Sequence, residues 1–179
     1  MSATNETHPA VAHARPAPTE DPSTAPALPS EHGAGTTPLA AATCYRAWGW
    51  PVTLRRDQVW LGLGDDVVAL AIPVSLAPQV TAILRQRRCP PPLLAHPYAP
   101  EHQVLVAGER YGVSLPWPPG VHRVTATLLL PPTMTLRGPI TWIHPPEPNA
   151  LRHCREINVA AAVRTALSDP PPSSGPAPS

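Results

Sequence analysis

Lysine and phenylalanine are both missing from this 179-residue chain, and aromatic residues make up only 4% of it. All thirteen basic residues are therefore arginines, and 29 residues are prolines. With abundant alanine, this composition indicates a GC-rich coding bias, so a single arginine or proline is weak evidence for function. Because phenylalanine is absent, the five tryptophans must provide much of the aromatic packing.

Cysteine is also scarce. Cys44, Cys89 and Cys154 form no CxxC pair, and this odd, sparse set excludes a disulfide-rich scaffold. No apolar run is long enough to cross a bilayer, and no apolar signal-peptide segment follows Met1. We therefore expect a cytoplasmic protein without a membrane partner.

The formal net charge of +1 conceals an uneven distribution of charge. Residues 39–167 contain twelve arginines and seven acidic residues, a basic surplus of five, whereas the segments at both ends are acidic. A mildly basic central segment is compatible with a nucleotide or nucleic-acid partner.

The chain divides into three parts by composition. Residues 1–37 and 169–179 are rich in Pro, Ala, Ser and Thr and contain almost no large apolar side chain. Such segments bury too little surface to offset the entropy lost on ordering, so we predict two disordered tails. Residues 38–168 carry periodic apolar patterns and are predicted to form one domain.

Local signals predict the elements of this domain. Thr37 and Pro38 are a favourable N-cap and first residue for a helix that Gly49 ends. A second helix, opened by Pro73 or Ser75, is expected to carry three arginines in its last turn. A third is predicted over 150–167, after Asn149 as cap. Strands are predicted at 51–54, 58–63, 67–72, 93–95, 103–107, 111–115, 121–130 and 140–143.

The order of these elements is helix, strands, helix, strands, helix. It indicates an α+β fold, in which a mixed or antiparallel sheet packs against about three helices. The strand at 67–72 (VVALAI) is apolar at every position, as expected for a strand that is buried on both faces.

Two groups of residues suggest a metal site, and each has a plainer interpretation. Asp65 and Asp66 could hold a divalent cation, but adjacent carboxylates on an extended chain point apart, and Gly-Asp-Asp is common in turns. Cys89, His96 and His102 could ligate zinc, but their spacing fits no structural zinc motif and no fourth ligand is evident. His153 and Cys154 are adjacent, so at most one of them can face a given site. We expect no metal and no cofactor.

Motifs for nucleophilic catalysis and for dinucleotide binding are incomplete. Ser114, Cys44 and the histidines offer possible nucleophile and base pairs, but no GxSxG turn surrounds them. Gly62 and Gly64 are not followed by the third glycine and helix of a dinucleotide site, and no P-loop is present. The residues alone therefore predict no catalytic constellation.

The arginines and tryptophans suggest a second kind of site. Arginines could form a phosphate-binding surface on which tryptophan faces stack with bases. Basic residues at a helix C-terminus also complement the helix dipole, and we expect Trp50 and Trp142 in the core. The proline-rich segment 115–119 (LPWPP) and the tails could instead contact a protein partner, or serve as turns and linkers.

Two segments that frame the domain resemble a known family. Residues 40–52 read AAATCYRAWGWPV, and residues 130–142 read LPPTMTLRGPITW. They resemble the A-x-Y-A-x-x-G-W-P-V opening and the L-P-P-S … G … Y-x-W strand–turn–strand of bifunctional DNA primase/polymerase N-terminal domains, in the archaeo-eukaryotic primase superfamily. Between them, residues 100–106 (PEHQVLV) resemble the family's G-x-H-x-x-F strand, whose histidine serves nucleotide binding in active members.

The chain departs from this family where the chemistry takes place. Active members carry two acidic residues at alternate positions of a central strand, so that both face the same side and hold metal ions. The corresponding strand here, 67–72, has no acidic residue, so the resemblance does not extend to polymerase activity.

Our hypothesis is a catalytically degenerate primase/polymerase-like domain that acts as a nucleotide or nucleic-acid binding or regulatory module. The candidate binding residues are His102, Arg85, Arg87, Arg88, Arg123 and Arg137. The alternative is a protein-interaction adaptor that uses the proline-rich segments and has no nucleic-acid role.

Overall fold

A computed structural model describes residues 36–108, 112 and 115–168. Both predicted tails lie outside this part of the chain, except for residues 36 and 37, and so does most of the strand predicted at 111–115. In chain order the elements are α1 (Pro38–Ala47), β1 (Val52–Arg55), β2 (Gln58–Gly62), β3 (Val67–Pro73), α2 (Ala77–Gln86), β4 (Leu93–Ala95), β5 (His102–Gly108), β6 (His122–Val124), β7 (Thr127–Leu130), β8 (Met134–Thr135), β9 (Gly138–Pro139), β10 (Thr141–His144), α3 (Ala150–His153) and α4 (Glu156–Ser168).

The strands of the described residues form antiparallel sheets. The largest has five strands in the order β10-β4-β5-β3-β6, and a second has three strands in the order β1-β2-β7. The strands β8 and β9 form a separate hairpin. Antiparallel sheets combined with helices confirm the predicted α+β fold class.

Strand β3 lies between two hydrophobic cores. Val68, Leu70 and Ile72 pack on the side of α2 and α4. Val67 and Ala69 pack on the opposite side, against residues of α1 and of the three-stranded sheet. Since successive side chains of a strand alternate between its faces, a strand in the middle layer of three must be apolar throughout, as the sequence pattern predicted.

The first helix begins as the sequence predicts. The side chain of Thr37 accepts a hydrogen bond from the backbone N–H of Ala40 at 3.2 Å, and Pro38 occupies the first turn. The helix ends at Ala47, and Gly49 follows in the left-handed conformation with φ of 79°. These signals are local, so they act regardless of the tertiary contacts.

The last predicted helix is two helices, so the described residues form four helices where about three were expected. The break falls at Cys154, whose carbonyl oxygen accepts a hydrogen bond from Gly108 at the end of β5, at 2.8 Å. Arg155 then forms an isolated parallel bridge with Gly108. The carbonyl oxygen of Cys154 therefore bonds to the sheet, whereas in a continuous helix it would accept from a residue one turn later. Within the part of the chain that the structure describes, no helix is long and apolar enough to cross a membrane.

The second helix is shorter than predicted at both ends. It begins at Ala77, after Leu76 as N-cap, and ends at Gln86. Only Arg85 therefore lies in its last turn, because Arg87 is the C-cap and Arg88 follows with a positive φ of 58°. The strand predicted at 121–130 is likewise divided, since Ala126, with φ of 67°, separates β6 from β7.

Candidate functional site

The central strand β3 carries no acidic residue. All seven residues of β3 are apolar, and six of them are buried. Asp65 and Asp66 lie in the exposed turn before the strand, as the turn interpretation predicted. Within residues 36–108, 112 and 115–168, no group of three or more His, Cys, Asp or Glu side chains is arranged to hold a metal ion.

His102, the first residue of β5, has protein partners near both ring nitrogens. Its Nε2 lies 3.1 Å from the carbonyl oxygen of Gly120, and its Nδ1 lies 3.5 Å from a carboxylate oxygen of Glu101. The ring of His122, which sequence reasoning did not single out, lies 5.3 Å away in an edge-to-face arrangement. The geometry ties the start of β5 to the loop before β6.

Arg123 is separated from this histidine pair although it follows His122 directly. It pairs with Leu70 of β3, whereas His122 pairs with Ala71, so the two side chains lie on opposite faces of the sheet. The guanidinium of Arg123 forms an ion pair with Glu156, at the start of α4, whose side chain is fully buried. Its charge therefore has an internal counterion.

The remaining candidate arginines lie in two further places. Arg85, Arg87 and Arg88 are exposed around the C-terminal end of α2, where Arg87 donates to the hydroxyl of Thr165 of α4 at 3.2 Å. Arg137, in the β8–β9 hairpin, stacks over the ring of Tyr98 at 4.9 Å. The structure thus distributes the six predicted binding residues rather than gathering them around one cleft.

The segments that carry the family resemblance pack against each other. The hydroxyl of Tyr45 donates to the carbonyl oxygen of Pro131 at 3.1 Å and accepts from the indole N–H of Trp142 at 2.9 Å. The ring of Trp50 stacks on that of Tyr45, with centroids 5.5 Å apart. Burial raises the pKa of Tyr45 well above its ordinary value, more than the hydrogen bond from Trp142 lowers it, which keeps the hydroxyl available as a donor.

The other residues considered in sequence have mainly packing contacts. Cys89 and Cys154 are buried, and burial is the main cause that raises the pKa of each thiol. The Nδ1 of His96 accepts from the backbone N–H of Tyr98 at 3.3 Å. In the LPWPP segment, Leu115 is buried and Trp117 packs against the hydrophobic core on the side of α2 and α4. Ser114 lies outside the described residues.

An open pocket of about 500 Å³ lies where the C-terminal end of α1 meets the segment around α3. Its described lining includes Arg46 and Trp48 from the first element and Asn149, Arg152 and His153 from the second. Sequence reasoning missed this combination because the two groups are about a hundred positions apart, and no local pattern joins them. The described lining contains no aspartate or glutamate.

A second open pocket, of about 430 Å³, is apolar. It lies beside the β8–β9 hairpin and is lined by Trp60, Tyr98, Met134 and Leu136, among others. Comparison with known proteins adds no assignment to either pocket, since no family model, curated protein or solved structure matches this chain.

Proposed function

We propose that this chain is a catalytically degenerate primase/polymerase-like domain that acts in the cytoplasm and binds a nucleotide or nucleic acid without phosphoryl transfer. The observation that carries the proposal is the contact between the two framing segments. Tyr45, from the first segment, bonds to both Pro131 and Trp142 of the second. Motifs that reflect a shared fold should meet in space in this way, whereas chance matches along a chain have no reason to do so.

Loss of catalysis is supported by the middle strand. Metal-assisted phosphoryl transfer requires carboxylates that hold divalent cations near the reacting phosphate. The seven apolar residues of β3 offer none, and their packing on both faces leaves no room for a charged side chain without a large desolvation cost.

Binding is supported by charge. Residues 39–167 carry a surplus of five positive charges, and Arg123 is the arginine whose ion pair with a buried carboxylate, that of Glu156, is described above. Exposed arginines attract phosphates by releasing condensed counterions, a contribution that does not depend on base sequence.

The test is fluorescence anisotropy of the full chain with labelled single-stranded DNA, single-stranded RNA and a labelled nucleoside triphosphate over a series of salt concentrations. We expect dissociation constants of about 10⁻⁶–10⁻⁴ M for at least one probe at physiological salt, weakening as salt rises. Absence of salt-dependent binding to every probe would overturn the proposal. If deletion of residues 1–37 then abolished capture of a stoichiometric protein partner, the adaptor alternative would replace it.

A primer-synthesis assay with Mn²⁺ tests the catalytic part separately. We expect no template-dependent product from the full chain. Extension of a primer would show that acidic residues meet around a nucleotide in some other way, and it would overturn the conclusion that the domain is degenerate.

A further inference from the structure

We propose that the pocket between α1 and α3 binds a phosphorylated nucleobase compound, with phosphate held by Arg46 and Arg152 and the base stacked on Trp48. This inference rests on the proposed function and assigns it a site. The pocket volume of about 500 Å³ falls within the roughly 300–1,000 Å³ range of small-molecule sites.

Arg46 is held in position by a contact of its own. Its Nε donates to the carbonyl oxygen of Val52 at 3.1 Å, across the turn that follows α1. This bond fixes the plane of the guanidinium and does not involve its two terminal nitrogens. A guanidinium oriented in this way loses less entropy when its terminal N–H groups bind the oxygens of a phosphate.

Trp48 provides the aromatic surface. It is half-buried, and its ring meets that of Tyr45 edge to face, with centroids 5.8 Å apart and planes at 72°. Tyr45 is in turn fixed by Pro131 and Trp142. An indole held in this way and lining a pocket can stack on a base, as aromatic side chains do in single-strand binders.

Arg152 adds positive charge and hydrogen-bond donors from α3, His153 adds its ring nitrogens, and both residues are exposed. The nearest acidic residue in sequence is the exposed Glu147, just before Pro148 of the lining. The net charge of the lining therefore favours an anion.

A plainer explanation is that these basic residues only complement the negative ends of two helices. Three of the last four carbonyl groups of α1 already have backbone donors. Trp48 N–H bonds to Cys44 and Tyr45, at 3.2 Å each, and Gly49 N–H bonds to Arg46 at 2.9 Å. The side chain of Arg46 reaches Val52 instead, so capping of the helix does not account for its position.

The test compares charge removal at two places in the full chain, with a labelled oligothymidylate, ATP and inorganic phosphate as probes. We expect R46Q/R152Q to weaken oligonucleotide binding about tenfold and to reduce the salt slope by about 1.4, which corresponds to two lost phosphate contacts. The matched control R55Q/R164Q removes two exposed arginines that do not line the pocket and should weaken binding by less than about threefold. W48L should weaken binding of the oligonucleotide and ATP but not of phosphate.

The outcomes separate this inference from the proposed function. Wild-type chain that binds no probe refutes both. Wild-type chain that binds, with R55Q/R164Q at least as damaging as R46Q/R152Q, refutes this site and leaves the function standing. Substitution of Arg46 removes its bond to Val52 and can destabilise the fold, so the double variant alone does not separate folding from binding. The single variant R152Q changes an exposed position, and the inference requires that it also weaken binding. If ATP fully displaces the labelled oligonucleotide, the ligand is a free nucleotide. If the pocket variants lose binding of the oligonucleotide but keep binding of ATP, the ligand is a nucleic-acid strand.

Discussion

The hydroxyl of Tyr45 and the indole N–H of Trp142 are 97 positions apart in sequence and 2.9 Å apart in space. Tyr45 lies on α1 and Trp142 on β10, at the edge of the five-stranded sheet. The same hydroxyl bonds to Pro131, just after β7 of the three-stranded sheet. One phenol therefore links a helix to both large sheets, and these residues of the framing segments have a structural role.

Replacing Tyr45 with phenylalanine should destabilise the fold. The change leaves the carbonyl of Pro131 and the indole of Trp142 without their partner, and a buried unsatisfied group costs about 1–3 kcal/mol. The measurement is the urea midpoint of unfolding. Y98F is the control, because Tyr98 is 46% exposed, and it should change the free energy of unfolding by less than about 0.5 kcal/mol. Equal effects of the two variants would contradict this role of Tyr45.

Gly108 should not tolerate a side chain. A Cβ atom there would lie 1.9 Å from the carbonyl oxygen of Leu151, so the backbone of α3 would have to move away from β5. We expect G108A to lose about 1–3 kcal/mol in thermal or urea unfolding. G64A is the matched control, because nothing lies within 4 Å of its added Cβ. A stable G108A would show that α3 is not held tightly against the sheet.

Arg123 is expected to act in stability rather than in binding. E156Q leaves its guanidinium without a carboxylate, and because the Arg123 side chain is 22% exposed we expect a loss of about 1–3 kcal/mol. The double variant R123L/E156L should recover much of this loss, since apolar replacements of a buried ion pair are often neutral. Nucleotide or oligonucleotide affinity should be nearly unchanged in the double variant. A large loss of affinity would restore Arg123 as a binding residue.

Stability should fall in mild acid. Burial lowers the pKa of His144, and Arg85 lowers it further, while burial also lowers the pKa of His96. Below about pH 6.5 these two histidines therefore bind more protons in the unfolded chain than in the folded chain. Because of this difference, the free energy of unfolding decreases from about pH 7.5 to about pH 5. The decrease should be smaller in H144Q and slightly smaller in R85Q. Identical pH profiles for wild type and H144Q would contradict this contribution.

Local sequence signals predicted much of the fold. The cap at Thr37, the turn at Gly49 and the apolar run of β3 each depend on residues within a few positions of one another. The break at Cys154 was not predictable, because it depends on a hydrogen bond from Gly108, 46 positions earlier. Asn149 illustrates the same limit: it is the N-cap of α3, as predicted, but it adopts a left-handed conformation and its side chain makes no capping hydrogen bond.

The candidate site was less predictable than the fold. Arg85, Arg87 and Arg88 form a visible cluster in sequence, yet none of them lines either of the two pockets described above. The pocket with Arg46 and Arg152 has no sequence signature, because its residues become neighbours only when α1 and α3 pack beside each other. Composition could suggest an anionic ligand but could not show where the charges meet.

By itself, the sequence determined the α+β class, the start of the first helix and the apolar character of the middle strand, because each follows from propensity and periodicity over a few residues. Only the tertiary structure decided that Tyr45 joins the two framing segments, that Arg123 is neutralised by Glu156 and that two distant arginines share a pocket with Trp48. Contacts across a hundred positions depend on how the layers stack, and local signals carry no information about that.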